Sequence, residues 1–227
     1  MIRLLRYLLK LVAGLILLSL LWALAGRWVN PPVHYLMLRD HLNGVPVQQQ
    51  WRPLEQMGKH LSRSVIGAED ANFCSHHGFD LEAIEKAMEE NREGKRLRGG
   101  STISQQTAKN VFLWPGRTVL RKGLEAWFTL LIEMMWGKPR IMEVYLNVVE
   151  MGKGVYGAEA AAQHYFGKPA SQLSHQQAAR LAAILPQPIR RDAASPGPGT
   201  RRLATRIASR AKIVERDGLD SCLRKSG

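Results

Sequence analysis

The chain has 227 residues and a formal net charge of +13, which allows one domain of ordinary size once an N-terminal segment of about thirty residues is set aside. The excess positive charge indicates an anionic partner such as nucleic acid, phospholipid or a phosphate-bearing substrate. The two cysteines, Cys74 and Cys222, exclude a disulfide-dense scaffold and a four-cysteine zinc site, and whether they pair is left open.

The N-terminal segment is predicted to cross a membrane. Residues 11–26 carry no charged side chain and follow three cations. If Lys10 extends towards the headgroups, the span runs over 7–28 and covers roughly 33 Å of bilayer. A cleaved signal peptide is the alternative, because Ala23-Leu24-Ala25 resembles a cleavage site. In either case the basic N-terminus stays in the cytoplasm and the rest crosses the membrane, which excludes cytosolic nucleic acid as the partner.

The remainder is predicted to be mainly α. We divide the chain into an anchor at 1–30, a connector at 31–60 and one helical domain at 61–220. Asn30-Pro31-Pro32 ends the first helix, because proline lacks an amide hydrogen. The connector is predicted to be irregular with short helices, and from Ser62 onwards apolar residues recur at helical spacing. The predicted helices span 62–72, 80–93, 102–112, 118–136, 138–149, 155–165, 174–185 and 199–216.

Two stretches between helices differ in composition. The charged, glycine-broken stretch from Asn91 to Gly100 is predicted to be a mobile loop. The proline-rich stretch 186–199 separates a last basic helix from the core. That helix could lie against anionic lipid headgroups or form a solvated face; its cations are Arg201, Arg202, Arg206, Arg210 and Lys212.

The first chemically rich cluster runs from Glu69 to Asp80. A metal site formed by His76, His77 and Asp80 is one interpretation, although adjacent histidines point in different directions. A general base is better supported, because a carboxylate near apolar Phe73 can have its pKa raised by desolvation. Carboxylates that merely cap a helix on the surface are the alternative.

The second cluster, from Arg98 to Gln106, combines paired glycines with a helix start. Thr102 and Gln105 form a capping box, and the first free amides of such a helix favour anions. A P-loop is excluded because Gly100 stands where that motif requires lysine. Lys109 follows two turns later.

The third cluster is a cation-rich helix start with one acid. On a helix, Arg121 and Lys122 share a face with Glu125. Surface ion pairs are the ordinary explanation, but the same groups suit a diphosphate leaving group, with Glu125 available to hold a divalent ion. A fourth stretch, from Lys138 to Asn147, is an amphipathic helix with proline in its first turn.

Together these stretches resemble the monofunctional, membrane-bound peptidoglycan glycosyltransferases of the lysozyme-like superfamily. The first cluster resembles E-D-x-x-F-x-x-H-x-G-x-D and the second G-[GA]-S-T-I-[ST]-Q-Q. The third resembles R-K-x-x-E, and the fourth resembles K-x-x-I-x-E-x-Y-L-N. Residues 173–186 are similar to a fifth motif, with His175 and Arg180 at positions where acidic or apolar residues are more usual. The five ordered motifs cover roughly residues 62 to 190.

The resemblance implies a lysozyme-like helical fold and a catalytic pair, Glu69 and Glu125. Glu69 would take the proton from the acceptor 4-hydroxyl as that oxygen attacks the donor anomeric carbon with inversion, while Asp70 supports it. Glu125 would assist at the diphosphate, directly or through Mg²⁺ or Mn²⁺. The remaining substrate-binding residues that it implies are His76, Ser101, Thr102, Gln105, Gln106, Lys109, Arg117, Arg121, Lys122 and Asn147.

The same resemblance names the partners and the location. The donor would be a growing glycan on undecaprenyl diphosphate and the acceptor lipid II, with release of undecaprenyl diphosphate at the periplasmic side of the inner membrane. Other cell-wall synthesis or division proteins are further candidate partners, and no nucleic acid is expected. A lytic enzyme of the same fold and a non-catalytic membrane scaffold are the alternatives.

Overall fold

The structure, a computed structural model, describes residues 2–92, 100–116 and 118–224. Within these residues the chain is mainly α, as predicted. The helices are α1 Ile2–Ala25, α2 Tyr35–Leu42, α3 Lys59–Glu69, α4 Leu81–Arg92, α5 Ile103–Phe112, α6 Val119–Met135, α7 Gly137–Val148, α8 Ala158–Phe166, α9 His175–Ile184 and α10 Pro198–Arg216. The strands are β1 Gln48–Gln49, β2 Glu150–Gly152 and β3 Val155–Tyr156, and short 3-10 helices lie at Leu54–Gln56, Ala170–Gln172 and Ser221–Leu223.

The core forms where two groups of helices meet. Helices α3, α9 and α10 pack against one another, and α5 packs against both α6 and α7. Ile66, Ile103, Leu131 and Ile141 are fully enclosed at these contacts. Each such side chain contributes about 1.5–3 kcal/mol through burial, so the helices that carry the sequence motifs are held firmly relative to one another.

Helix α3 ends earlier than the prediction of 62–72. Asp70 leaves the helical region, with φ −161° and ψ 78°, and its carboxylate accepts the Ile103 N–H at the start of α5 at 2.9 Å. Residues 70–72 therefore belong to a turn. The reason is a tertiary hydrogen bond between two segments that lie 33 positions apart.

A small sheet was missed by the helical-periodicity analysis. Its strand order is β1-β3-β2, with β1 parallel to β3 and β2 antiparallel to it. Residues 155–156 are thus a strand, and α8 begins only after Gly157, whose φ is 80°. A Cβ at Gly157 would lie 2.5 Å from the Asn147 carbonyl oxygen, so this turn requires glycine. The sheet joins the connector to the domain.

Helix α1 is long and apolar enough to cross a membrane, and among the described residues it is the one helix that meets this test. Its C-terminal half packs along α6. Trp22 lies edge-on to Phe112 and Phe128, and the Trp136 indole N–H donates to the Ala23 carbonyl at 2.7 Å. The anchor is therefore docked on the domain rather than joined to it only by a linker.

Cys74 and Cys222 form a disulfide across 148 positions of the chain, with their Cα atoms 5.4 Å apart. This answers the question that the sequence left open. The predicted mobile loop from Asn91 to Gly100 cannot be assessed as a whole, because Asn91 and Arg92 belong to α4 and 93–99 lie outside the described residues.

Candidate active site

Glu69 occupies the C-terminal end of α3 and faces α5. Burial raises the pKa of its carboxyl group, while the Gln106 hydrogen bond and the charges of Lys109 and Arg191 oppose that shift. The Gln106 amide donates to Glu69 Oε2 at 2.9 Å. The side chain is thus a desolvated carboxylate held in place by one neutral donor, which is the environment of a general base.

Asp70, the next residue, has a different environment. It is buried, accepts the Ile103 N–H, and lies 2.9 Å from His76 Nε2. Because His76 Nδ1 accepts the Gly78 N–H at 3.1 Å, the ring proton of neutral His76 sits on Nε2 and is donated to Asp70. Asp70 and His76 therefore fix the turn after Glu69, and the role of Asp70 in supporting Glu69 during the reaction stays a prediction.

The start of α5 is built by the predicted capping box. The Thr102 hydroxyl accepts the Gln105 N–H, and the Gln105 side chain accepts the Thr102 N–H. Thr102 also donates to the Gly78 carbonyl at 2.7 Å, which ties α5 to the turn that follows Glu69. Ser101 precedes this cap and is half-buried.

Glu125 lies on α6 among cations. Arg121 Nη1 donates to Glu125 Oε2 at 2.7 Å, and the Lys122 ammonium pairs with the other oxygen. Glu125 and Arg121 are buried while Lys122 is half-exposed. This is a desolvated ion-pair cluster, which differs from the surface ion pairs that are the ordinary explanation for such spacing.

Lys109 interacts electrostatically with both carboxylates, Glu69 and Glu125. Burial lowers the pKa of its ammonium, and the charges of Glu125 and Glu69 act in the opposite direction. Lys109 lines a small cavity of about 180 Å³ together with Leu36, Asn110, Leu113, Trp114, Pro115 and Gly116. A partly desolvated ammonium between a base and an acid-cation cluster is well suited to an anionic substrate.

The described residues do not form a resident metal site. They contain no group of three His, Cys, Asp or Glu side chains arranged to hold an ion. Asp80 accepts the Ala83 N–H at the start of α4 and the Asn72 amide, and His76 is bonded to Asp70. At Glu125, both oxygens already face cations, so the residues present do not fit a bound Mg²⁺ or Mn²⁺ and we derive no step through one.

Of the residues implied by the resemblance, one cannot be placed and another lies apart from this cluster. Arg117 is outside the described residues. Asn147 is fully enclosed, and its amide is bonded to the backbone N–H and carbonyl of Arg52 and to the Glu143 carbonyl. These contacts give Asn147 a structural role in holding the connector, and its contact with substrate stays a prediction.

Replacing Asn147 by Ala is expected to lower the free energy of unfolding by about 3 kcal/mol, because buried backbone groups lose their partners. Thermal unfolding measures this loss. The KM for substrate, determined well below the midpoint of unfolding, should stay unchanged. A raised KM in a stable variant would restore Asn147 to the binding site.

Three residues near the site were not singled out from the sequence. Arg191 donates to the Ala183 carbonyl at 2.6 Å and its charge acts on Glu69. The Tyr145 hydroxyl lies 3.4 Å from Gln106 Oε1. The Glu133 carboxylate accepts a hydrogen bond from the Ser104 hydroxyl and forms an ion pair with Lys138. Tyr145 and Lys138 lie within the fourth motif, and this position was the sequence signal that could have marked them as site residues. Arg191 stands in a proline-rich stretch with no such signal.

The pH dependence of kcat/KM follows from two of these groups. With Glu69 predicted to be the base, activity should fall as the pH drops through its pKa, and burial raises that pKa above the ordinary value of 4.5. With Lys109 predicted to act as a charged group, the alkaline limb should lie below pH 10.5, because burial lowers the pKa of its ammonium. Gln106→Leu removes the donor that stabilises the charged carboxylate and should move the acid limb to higher pH. A pH profile of the variant and wild type checks this, and an unmoved acid limb would contradict it.

The fold and the site define a class: a mainly α enzyme with an N-terminal helix apolar enough to cross a membrane, a half-buried carboxylate of raised pKa and a group of cations around a buried ion pair. The family model described as Transglycosylase matches residues 38–216. The chain belongs to this family.

Several curated relatives support the same assignment. The chain is 53% identical over 215 residues to the biosynthetic peptidoglycan transglycosylase of Caulobacter vibrioides, covering 95% of this chain and 92% of that protein. The proteins of the same name from Rhodospirillum centenum and Pseudomonas aeruginosa are 51% and 49% identical, and the alignments cover 97% and 98% of this chain and 96% of each relative.

Proposed function

We propose that this enzyme is a peptidoglycan glycosyltransferase of bacterial cell-wall synthesis, which polymerises lipid II into β-1,4-linked glycan strands with release of undecaprenyl diphosphate. The observation that carries the proposal is Lys109, a half-buried cation that interacts electrostatically with both Glu69 and Glu125. This interaction supports an anionic donor. The reacting carbon of that donor would lie between Glu69, the base, and the cations that stabilise the leaving diphosphate.

The proposed reaction assigns each group one task. Glu69 accepts the proton of the acceptor 4-hydroxyl while that oxygen forms the new bond to the donor anomeric carbon. The bond from that carbon to the diphosphate oxygen breaks, and the electron pair leaves with the diphosphate. Lys109, Arg121 and Lys122 stabilise the negative charge that develops there. Ser101, Thr102, Gln105 and Gln106 border the donor on α5.

Glu125 keeps the cations in position in this scheme. Its two oxygens hold Arg121 and Lys122 side by side on α6, and the buried Arg121 Nε has no hydrogen-bond partner among the described residues. That donor is available for a diphosphate oxygen. A divalent ion at Glu125 would have to displace one of these cations, so the proposal uses the cations alone.

A location at the periplasmic face of the inner membrane fits the same proposal. Disulfides such as Cys74–Cys222 persist in oxidising compartments, which favours the periplasmic side. Next to α1, helix α6 exposes Trp127, Leu130 and Met134, and such an apolar face suits a lipid surface. The proposal also includes the domain boundaries at residues 30, 60 and 220. It includes other cell-wall proteins as partners, and no nucleic acid.

Purified full-length protein with labelled lipid II tests the function. The expected product is a glycan strand that lysozyme digests, formed with release of undecaprenyl diphosphate. The lytic alternative instead predicts cleavage of preformed strands and no polymer. The cation cluster disfavours that alternative, because glycan cleavage has no diphosphate leaving group to stabilise.

A further inference from the structure

The Cys74–Cys222 disulfide joins the turn after Glu69 to the C-terminal end of the chain. Cys74 lies between Asp70 and His76, the pair that fixes this turn. Cys222 lies in the 3-10 helix Ser221–Leu223, beyond residue 216, where the family match ends. The disulfide partner of the turn after Glu69 therefore lies in a segment outside the matched family domain.

The same segment is also fixed to α3. Arg63 donates to Asp220 at 2.9 Å and pairs with Glu215, and Asp220 and Arg63 are both buried. Glu69 stands at the end of α3, six positions after Arg63. Residues 215–222, which we call the C-terminal brace, thus hold the helix before Glu69 by an ion pair and the turn after it by a covalent bond.

The turn itself is held by few backbone hydrogen bonds of its own. Its backbone contacts within 70–76 are short-range, from Phe73, Ser75 and His76 to the carbonyls of Asp70 and Asn72. Phe73 is enclosed, with the Lys138 ammonium 4.6 Å from its ring centre. Cys74, the residue after Phe73, is covalently tied to a distant part of the chain, which restricts the positions open to the whole turn.

We propose that the disulfide is a positioning element for the reaction, holding the Asp70–His76 contact and so the direction in which Glu69 faces the acceptor. This rests on the proposed function of Glu69. Cutting the bond would lower kcat more than it changes KM, because the cations proposed to bind diphosphate lie on α5 and α6 and, among the described residues, form no hydrogen bond or ion pair with the C-terminal brace. A misplaced base affects the chemical step first.

The test compares full-length wild type, Cys222→Ser and Cys74→Ser/Cys222→Ser in detergent with lipid II, with and without a phosphine reductant. Assays are run well below the lowest midpoint of unfolding. We expect kcat to fall roughly tenfold in both variants and in reduced wild type, with KM within about twofold. The double variant should not respond to reductant. Arg224→Ala is the matched control. It removes the ion pair between Arg224 and Asp220 of the C-terminal brace and should keep the wild-type kcat.

Hydrogen exchange gives a readout that does not depend on activity. On reduction, amides of 70–80 should exchange faster, while those of Ile103–Phe112 in α5 stay protected. A lower melting temperature with unchanged kcat and unchanged exchange in 70–80 would make the bond purely stabilising and overturn the proposal. If oxidised wild type makes no polymer, the proposed function fails, and the exchange result still decides whether the disulfide holds the turn.

Discussion

Replacing Glu69 by Gln is expected to lower kcat by roughly 10²- to 10⁴-fold, the usual scale for loss of a general base. Glutamine keeps the size of the side chain, and its amide oxygen can still accept the Gln106 N–H that now reaches Glu69 Oε2 at 2.9 Å. The local fold should therefore survive while the proton acceptor is lost. Polymerisation of labelled lipid II measures the rate, and the melting temperature checks the fold.

Two comparisons make this experiment decisive. Glu82→Gln alters an exposed carboxylate in the first turn of α4 and should leave the rate unchanged. Binding of lipid II to Glu69→Gln should persist, because the cations on α5 and α6 remain. Full activity in Glu69→Gln would remove the base assignment. A wild type that makes no polymer would instead favour the scaffold alternative.

Replacing Lys109 by Met is expected to lower kcat/KM by about 10²- to 10³-fold, comparable with the loss of one preorganised donor to developing negative charge. Methionine keeps most of the apolar stem but removes the charge. A second effect follows, because the Lys109 charge lowers the pKa of Glu69. In the variant that pKa rises further, so the acid limb of the pH profile should move to higher pH.

Lys122→Met is the matched comparison for this variant. Lys122 is half-exposed and pairs with Glu125, so solvent screens its charge more than that of half-buried Lys109, and its loss should cost less. Steady-state kinetics over a range of pH measures both variants. Equal effects of the two substitutions, or an acid limb that does not move in Lys109→Met, would contradict the central position given to Lys109.

Helical periodicity and capping signals were sufficient to predict the helices that carry the motifs. Thr102 with Gln105 marked the start of α5, and the structure contains that capping box. Motif recognition also brought Glu69, Lys109 and Glu125 into one hypothesis. What periodicity could not predict was the end of α3, because Asp70 leaves the helix to bind an amide 33 positions away.

Long-range pairings were the other limit. Adjacent acids, Glu69 and Asp70, look alike in sequence, yet Glu69 feels the charge of Lys109 while Asp70 is bonded to His76 and to the Ile103 N–H. The pairing of Cys74 with Cys222, the three-stranded sheet and the burial of Asn147 depend on contacts between distant segments, which local spacing does not encode. The site residues carried by motifs were therefore easier to place than those fixed by tertiary contacts.

The docked anchor has a geometric consequence. Ser19, Ala23 and Gly26 of the N-terminal segment receive hydrogen bonds from Trp127, Trp136 and Arg140, and a Cβ at Gly26 would lie 2.5 Å from the Trp136 ring. With α1 spanning a membrane, as proposed, these contacts would fix the tilt and height of the domain above the bilayer. In the proposed reaction the enzyme and its lipid-linked substrates meet by diffusion in the plane of the membrane, and every strand leaves the catalytic carboxylate at one constant angle to that plane.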